Sequence, residues 1–432
     1  IQDDGVVFDG GPDGTDFVSV DGNFAQNAGS FLTEASPLAS FEVTGNLTKA
    51  ASDTSRFDAD SDEFTVGGNV TQESGTFKVE DASTFTVGGD LQNNSPDALD
   101  FDDGDDVDDF FDFASSAFEV STPATFTVGG TLSQSAGNFE VTGSSSSEAS
   151  LSISENYEQD GGTATIAGFS GSEASLSIGN NYEQDGGTAT INGFAGSDAS
   201  VTIGNNYEQG GGTASILDAP PLSVENDVSV TAGTLRANLS DDTGVTSPPN
   251  NVFEASTLTV GDSTDASGGP GGDFTDGQDA TLDVAPNASV ADNDAVEITG
   301  GVSVGFDAQL ALRGQELRTG GDFEFLGAGD ALLENNEDSP EESGLVGTVR
   351  FVGSETQTLE TDETPDTYLN GLAVDTEGEA DLELASSVST NQKPGAFNFN
   401  ADNPGNSNGG IPQRNFGTVA LESGDIVTGE DT

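Results

Sequence analysis

The chain has 432 residues, with 77 acidic and 9 basic side chains and a formal net charge of −68. It contains no Cys and no His, which excludes disulfides, thiol nucleophiles and His-based catalytic triads and removes the usual ligands of zinc. A surface this negative would repel nucleic acid, so we expect no nucleic-acid partner.

The charge balance predicts a protein adapted to molar salt. At ordinary ionic strength such a chain repels itself, whereas at 1 M salt the screening length falls to about 3 Å. An acidic disordered chain is the alternative, but 27 Phe residues and an ordered alternation of Val, Leu and Ile argue against it. We therefore interpret the composition as that of a halophilic protein.

The N-terminal segment, residues 1–39, follows the later repeats poorly and is expected to be irregular. Its VVFDG and DFVSV runs make it a candidate cap, or a strand donated to a neighbouring copy. The start Ile1-Gln2-Asp3, without an initiator Met, is expected of a secreted chain whose signal peptide has been removed. No apolar run approaches the roughly 18–20 residues that would span a bilayer, so we predict no membrane span and an extracellular location.

A repeated motif begins soon after this segment. FTVGG occurs at Phe64, Phe85 and Phe126, and an alternating apolar and polar stretch follows each copy. Alternation with a period of two is typical of β-strands, and the Gly pairs mark turns. The spacing of the copies doubles after Phe85, which indicates an inserted loop at residues 95–115.

This insertion, residues 95–115, is the densest acidic run in the chain. Carboxylate clusters suit Ca²⁺, which binds six to eight oxygens. The spacing matches no EF-hand loop, and we favour a solvated acidic loop over a metal site. Apart from this candidate Ca²⁺ site, we predict no cofactor. The candidate Ca²⁺ ligands are Asp102, Asp103, Asp105, Asp106, Asp108 and Asp109.

Three nearly identical stretches of about 25 residues begin at Ser150, Ser175 and Ser200. A period in this range indicates one supersecondary unit that must stack on its neighbours to bury its apolar face. Each unit is interpreted as two strands joined by Gly-containing turns, with a link too short for a helix. The pattern predicts an all-β fold, a single elongated parallel β-solenoid over residues 40–394. A β-sandwich or barrel is the alternative.

Tyr157, Tyr182 and Tyr207 occupy the same position in these three stretches. We expect a ladder of stacked rings that stabilises the sheet. A sugar-binding platform is the alternative, since aromatic faces beside carboxylates suit carbohydrates. Candidate glycan acceptors come from five N-x-Ser/Thr sequons, with Asn46 and Asn69 favoured because they follow strand-like runs. These sequons are at Asn46, Asn69, Asn93, Asn238 and Asn287.

The stretch from Gly347 to Asn391 reads GTVRFVGSETQTLETDETPDTYLNGLAVDTEGEADLELASSVSTN. Its "TVxFxGSxxQTL" and "YLNGLxV" patterns, together with the upstream FTVGG copies, resemble repeats of secreted β-helical surface proteins of bacteria and haloarchaea. The resemblance implies a right-handed β-helix on a cell surface, and its motifs are structural. Residues 395–432 are expected to form an irregular tail or cap.

These observations predict an extracellular structural or adhesive protein of a halophilic archaeon. We expect it to assemble with itself into a homopolymer, a surface fibre or sheath, with glycans as further candidate partners. A tail-fibre or spike protein of a halophilic virus is one alternative, and a β-helical polysaccharide-active enzyme is another. We predict no enzyme, because no pair of carboxylates stands out among the 77 acidic residues.

Overall fold

The computed structural model of this chain consists of short β-strands. It describes residues 6–9, 17–34, 38–50, 56–80, 84–95, 117–121, 125–142, 149–167, 174–192, 199–217, 222–237, 252–261, 280–284, 295–305, 308–312, 316–325, 348–361, 372–375, 382–384, 419–423 and 426–428. Within these residues all regular elements are strands, the named strands pair in parallel, and no helix is present. This confirms the predicted all-β parallel β-solenoid.

The coils form three parallel sheets, which we call sheets I, II and III. From Phe17 to Ala311 each coil contributes one strand to each sheet, and the described strands after Ala311 belong to sheets II and III. In one coil, Ala174–Ile178 lies in sheet II, Tyr182–Gln184 in sheet III and Thr188–Asn192 in sheet I. The sequence pattern predicted two strands per repeat. The strand that it missed, Tyr182–Gln184, has only three residues, which is too short for alternation to stand out.

The strands belong to two compact units. The first unit comprises residues 1–204 and 212–218, and the second comprises residues 205–211 and 219–432.

In the first unit the three sheets each contain a series of strands in chain order. Sheet I contains Val6–Asp9, Phe31–Glu34, Arg56–Asp60, Thr76–Glu80, Ala117–Ser121, Asn138–Thr142, Thr163–Ala167, Thr188–Asn192 and Thr213–Leu217. Sheet II contains Phe17–Val20, Ser40–Val43, Glu63–Val66, Thr84–Val87, Thr125–Val128, Ala149–Ile153, Ala174–Ile178 and Ala199–Ile203. Sheet III contains Phe24–Gln26, Leu47–Lys49, Val70–Gln72, Leu91–Asn93, Leu132–Gln134, Tyr157–Gln159 and Tyr182–Gln184.

The second unit repeats this arrangement with fewer described strands in sheet I. Sheet I contains Gly233–Ala237, Ala280–Val284 and Ala308–Ala311. Sheet II contains Leu222–Val224, Val252–Ala255, Ala295–Ile298, Glu316–Thr319, Thr348–Phe351, Leu372–Asp375 and Val419–Ser423. Sheet III contains Tyr207–Gln209, Asp227–Val230, Thr257–Val260, Val302–Val304, Phe323–Phe325, Gln357–Thr361, Leu382–Leu384 and Ile426–Thr428.

Paired strands also occur in the segments that were expected to be irregular. Within residues 1–39, Val6 pairs with Phe31 and Val18 pairs with Phe41. Near the C-terminus, Val419–Ser423 and Ile426–Thr428 add strands to sheets II and III. The stacked strands therefore extend upstream of residue 40 and downstream of residue 394. The acidic insertion falls almost entirely on residues 96–116, which lie outside the described part of the chain.

The core of the first unit contains two columns of phenylalanine rings, one on sheet I and one on sheet II. The Phe57 and Phe77 rings stack with centroids 4.7 Å apart, and those of Phe85 and Phe126 with centroids 4.5 Å apart. These separations match the spacing of about 4.8 Å between neighbouring strands, so the rings follow the backbone stack. The fully buried rings are Phe31, Phe57, Phe77 and Phe139 on sheet I and Phe41, Phe64, Phe85 and Phe126 on sheet II.

The close approach of consecutive coils explains the first glycine of the FTVGG motif. A Cβ atom added to Gly67 would lie 2.5 Å from Thr44 O, and one added to Gly88 would lie 2.5 Å from Gly67 O. A side chain at either position would collide with the backbone of the preceding coil. The motif therefore identifies a turn after a sheet II strand where consecutive coils leave no room for a side chain.

Candidate functional site

The three repeated tyrosines lie in the core. Tyr157, Tyr182 and Tyr207 are each only 2% exposed, and the rings of Tyr157 and Tyr182 stack with centroids 5.0 Å apart. Burial raises the pKa of the Tyr157 phenol well above its ordinary value. Stacking is confirmed for Tyr157 and Tyr182. The alternative, a sugar-binding platform, is wrong because ring faces buried to this extent cannot contact a glycan.

Each of these hydroxyls is held by a glutamine two residues further along the same strand. The Tyr182 hydroxyl donates to Gln184 Oε1 at 3.1 Å, and the Tyr207 hydroxyl donates to Gln209 Oε1 at 2.9 Å. The same bond from Tyr157 to Gln159 is longer, at 3.4 Å. Because residues i and i+2 of a strand face the same side, the pattern Tyr-x-Gln places both polar groups inside the core.

These glutamines belong to a buried polar column on the inner face of sheet III. Its first-unit members occupy the last position of their strands and are at most 1% exposed. They lie in register from coil to coil. We call this set the amide column, and its members are Gln26, Lys49, Gln72, Asn93, Gln134, Gln159 and Gln184. Gln209 occupies the corresponding strand position in the second unit.

The glutamines of the column close the turn that follows sheet III. Gln134 Nε2 donates to Gly137 O at 2.9 Å, and Gly137 has a φ of 69°. Gln26 Nε2 donates to Gly29 O at 2.7 Å, and Gly29 has a φ of 66°. Glycine is favoured there because this φ is unfavourable for residues with a Cβ. The sequence pattern Gln-x-x-Gly thus specifies a turn of three or four residues between a sheet III strand and the sheet I strand that follows it.

Lys49 and Asn93 replace glutamine in two coils. The Lys49 ammonium group is buried and donates to Ser74 O at 3.1 Å, and Asn93 Nδ2 donates to Asn138 O at 3.1 Å. Neither residue is followed by the Gln-x-x-Gly glycine, and the next strand begins later, at Arg56 and Ala117. The column therefore changes where the connection to sheet I is longer.

The sequons occupy different environments. Asn46 is exposed and Asn69 is half-buried, and the Oδ1 of each accepts a hydrogen bond from the next coil, from Asn69 N at 2.9 Å and from Asp90 N at 3.0 Å. Asn93 is buried, and its amide nitrogen holds Asn138 O. A glycan cannot be attached to Asn93 in the folded chain, which corrects that prediction. Asn238 and Asn287 lie outside the described residues.

No metal site is visible in the part of the chain that the structure describes, where no group of three or more acidic side chains is close enough to hold an ion. The candidate Ca²⁺ ligands lie outside the described residues, namely Asp102, Asp103, Asp105, Asp106, Asp108 and Asp109.

The outer faces of the sheets carry carboxylates in register. Glu158 stands opposite Glu183 on neighbouring strands of the first unit. In the second unit, Glu254 stands opposite Glu297. Like charges in directly opposed positions destabilise a sheet unless they are screened. The exterior of both units therefore contains built-in electrostatic repulsion.

One patch on sheet II of the second unit relieves this repulsion with arginines. Arg318 contacts Glu316 at 2.7 Å and Glu297 at 3.0 Å, and Arg350 contacts Glu316 at 3.0 Å. The hydrogen bond that the Arg318 guanidinium donates to the Glu316 carboxylate raises the pKa of Arg318 above its already high value. Since the arginines are engaged by carboxylates of their own sheet, this patch is best explained as a surface ion-pair network.

The comparisons with known proteins give no functional assignment. No protein family model, curated protein or solved structure matches this chain. No helix of the described residues is long and apolar enough to cross a membrane.

Sequence reasoning missed the amide column. The signal was present in the recurring AQNAG, TQESG, SQSAG and EQDGG runs, each with Gln three residues before Gly. Glutamine is usually exposed, so these residues were not considered for the core.

Proposed function

We propose that the protein is an extracellular structural or adhesive component of a halophilic archaeon, and that it assembles with itself in molar salt. The observation that carries this proposal is the register of like charges, such as Glu158 opposite Glu183 on adjacent strands. Those strands are about 4.8 Å apart. Such pairs are costly at low ionic strength and are screened at 1 M salt, where the Debye length is about 3 Å.

The interior supports a structural role. The Phe columns and the Tyr rings fill the core, and the buried amides bond to the backbone of their own unit. Some of these amides also bond to the following coil, as Gln134 does to Thr163 O, so the buried polar groups hold turns and coils together. The outward positions of strands such as Ala174–Ile178 and Tyr182–Gln184 carry Ser and Glu, which leaves the apolar residues to the core.

The first coil of the first unit supports self-association. Phe17 is 73% exposed, and Val18 and Val20 are half-buried. Their register partners in the next coil, Phe41 for Val18 and Val43 for Val20, are fully buried. A further coil stacked on this strand would bury Val18 and Val20 in the same way, whereas Phe17, opposite Ser40, lies on the other face. A second copy of the chain supplies coils of matching spacing.

The salt requirement is tested by chemical unfolding of the purified chain at about 0.15 M and about 3 M NaCl. We expect the free energy of unfolding to rise with salt. Matched measurements in NaCl and KCl would show whether screening or a specific cation is responsible. A stability that is highest at low salt would contradict the proposal.

Assembly is tested separately by negative-stain microscopy and light scattering in molar salt. We expect filaments or larger particles that grow with protein concentration. Val18→Ser and Val20→Ser, which alter the end coil, should reduce assembly without reducing stability. Monomers at all concentrations would remove the assembly part of the proposal and leave the salt adaptation intact.

A further inference from the structure

The amide column makes a second set of hydrogen bonds, which all point in one direction along the chain. Gln134 Nε2 donates to Thr163 O at 2.9 Å, in the sheet I strand of the following coil. Lys49 and Asn93 likewise donate to Ser74 O and Asn138 O of the following coil. The same bond runs from Gln26 to Arg56 O at 3.1 Å, from Gln159 to Thr188 O at 3.1 Å and from Gln184 to Thr213 O at 3.2 Å.

Because these bonds run from a column residue to the following coil, they affect the order in which coils become stable. The side chain of Gln159 can hold its own turn, at Gly162 O, as soon as that turn forms. Its bond to Thr188 O requires that one further coil has already been placed on the stack. An amide that is buried without an acceptor is unfavourable, so a column residue that makes this bond favours a state in which the next coil is present.

The column also fixes the register of that next coil. A shift of one residue along a strand would turn the amide to the outer face, because successive side chains alternate. A shift of two residues in Tyr182–Gln184 would place Tyr at the position of Gln. Either shift leaves the carbonyls of Gly187 and Thr213 without the donor that Gln184 now supplies.

We propose that the amide column is an ordering device that couples coils of the first unit to the coils that follow them, through the members that make this second bond. Because a hydrogen bond stabilises both coils that it joins, and each coil contacts only its neighbours, each column residue contributes to one interface of the stack. At each of these interfaces the donor lies on the N-terminal side. Loss of Gln159 should therefore weaken the interface with the following coil, where it donates to Thr188 O. It should spare the interface with the preceding coil, which Gln134 joins through Thr163 O.

The test is hydrogen exchange of the full chain with Gln159→Leu, in molar salt. This change removes the donor to Thr188 O and also the acceptor of the Tyr157 hydroxyl, while keeping an apolar side chain in the core. We expect protection in the following coil, residues 174–192, to fall about tenfold. Protection in the preceding coil, residues 125–142, should change less than twofold.

The matched control is Glu158→Gln, on the outer face of the same strand, where Ser133 Oγ donates to the Glu158 carboxylate at 3.0 Å. It should leave both coils protected as in the parent chain. A purely structural role for Gln159 would loosen the two neighbouring coils equally. Equal loss on both sides, or a larger loss on the N-terminal side, would overturn the proposal.

Gln159→Asn covers the case in which Gln159→Leu does not fold. Asparagine occurs naturally in the column at Asn93, where it still reaches the following coil. We expect this variant to fold and to show a smaller loss of protection on the C-terminal side. A loss confined to the N-terminal side would contradict the inference here too.

Discussion

The hydroxyl of Tyr207 donates a 2.9 Å hydrogen bond to Oε1 of Gln209, and both side chains are almost completely buried. The bond satisfies two polar groups that have no access to water. It also orients the amide so that Gln209 Nε2 can donate to Thr234 O at 3.0 Å. A repeat with Tyr two residues before Gln therefore has a more complete internal hydrogen-bond network than one with Leu or Phe there.

Tyr207→Phe should destabilise the chain by about 1–3 kcal/mol, because it removes the donor to a buried amide oxygen. The free energy of unfolding, measured with denaturant in molar salt, checks this. Thr190→Ala, on the outward side of a sheet I strand, is the control and should change the stability by less than about 0.5 kcal/mol. A neutral Tyr207→Phe would mean that the Gln209 oxygen has another donor.

Phe24→Tyr should have the opposite effect. Gln26 Oε1 is buried without a hydrogen-bond partner, and Phe24 stands two residues before it on the same strand. A hydroxyl at Phe24 is expected to reproduce the Tyr–Gln bond and to stabilise the chain by roughly 0.5–1.5 kcal/mol.

The matched control for Phe24→Tyr is Phe64→Tyr. Phe64 lies fully buried among other phenylalanine rings, where a hydroxyl finds no amide partner. This variant should be destabilised by about 1–3 kcal/mol. Loss of stability in both variants would show that position 24 cannot place a hydroxyl near Gln26.

These two variants also illustrate how far the sequence could predict the fold. Alternation and the 25-residue repeat were enough for a parallel β-solenoid, because every inward position of a stacked coil shares one environment. They did not identify three-residue strands such as Tyr182–Gln184, since two inward positions are too few to establish a period. They also could not place Gln184 in the core, because its burial depends on backbone carbonyls that only the folded turn brings within reach.

The candidate sites were less predictable than the fold. The sequon at Asn93 has the right local pattern, but the side chain faces inward at the last position of its strand. Asn46, with the same pattern, lies at a turn and is exposed. A three-residue motif does not encode which side of a strand its asparagine occupies, so only the coil geometry separates the two.

Gly88→Ala should destabilise the chain by about 1–3 kcal/mol through steric overlap with the preceding coil. The added Cβ would lie 2.5 Å from Gly67 O, and backbone on both sides prevents it from moving away. Thermal unfolding in molar salt measures the effect. Ser177→Ala, at an exposed position of sheet II, serves as the control. Equal stability of the two variants would show that the coils can separate locally at low cost.

The buried phenol of Tyr157 predicts a specific loss of stability at alkaline pH. Its folded pKa is raised above the ordinary value of 10.0 by burial, so folding favours the neutral form. The contribution is fully present below pH 10 and is lost as the pH rises through the folded pKa. Above pH 10 the unfolding free energy should fall by up to about 1.4 kcal/mol per pH unit for this one group.

Tyr157→Phe separates this contribution from those of other titrating groups. The variant should be less stable near neutral pH, where it lacks the bond to Gln159, but its stability should decline less steeply above pH 10. Denaturant unfolding at several alkaline pH values, with phenolate absorbance recorded in parallel, checks both points. Identical slopes for the two chains would show that Tyr157 ionises without unfolding.

Glu183→Gln should stabilise the chain at low salt and have little effect in molar salt. Glu183 faces Glu158 across adjacent strands, and removing one charge relieves a repulsion of a few tenths of a kcal/mol to about 1 kcal/mol. Glutamine keeps an acceptor oxygen for Asn181 Nδ2, which now donates to Glu183 Oε1 at 3.4 Å, so the local hydrogen bonding is preserved.

The difference between Glu183→Gln and the parent chain should shrink as NaCl is raised from about 0.15 M to about 3 M, because screening removes the repulsion from the parent. Glu316→Gln should have the opposite effect on stability, since Glu316 is paired with Arg318 and Arg350 and the change removes an attraction. It should destabilise the chain at low salt. If Glu183→Gln stabilised the chain equally at both salt concentrations, the effect would come from side-chain propensity, and the stacked carboxylates would no longer account for salt adaptation.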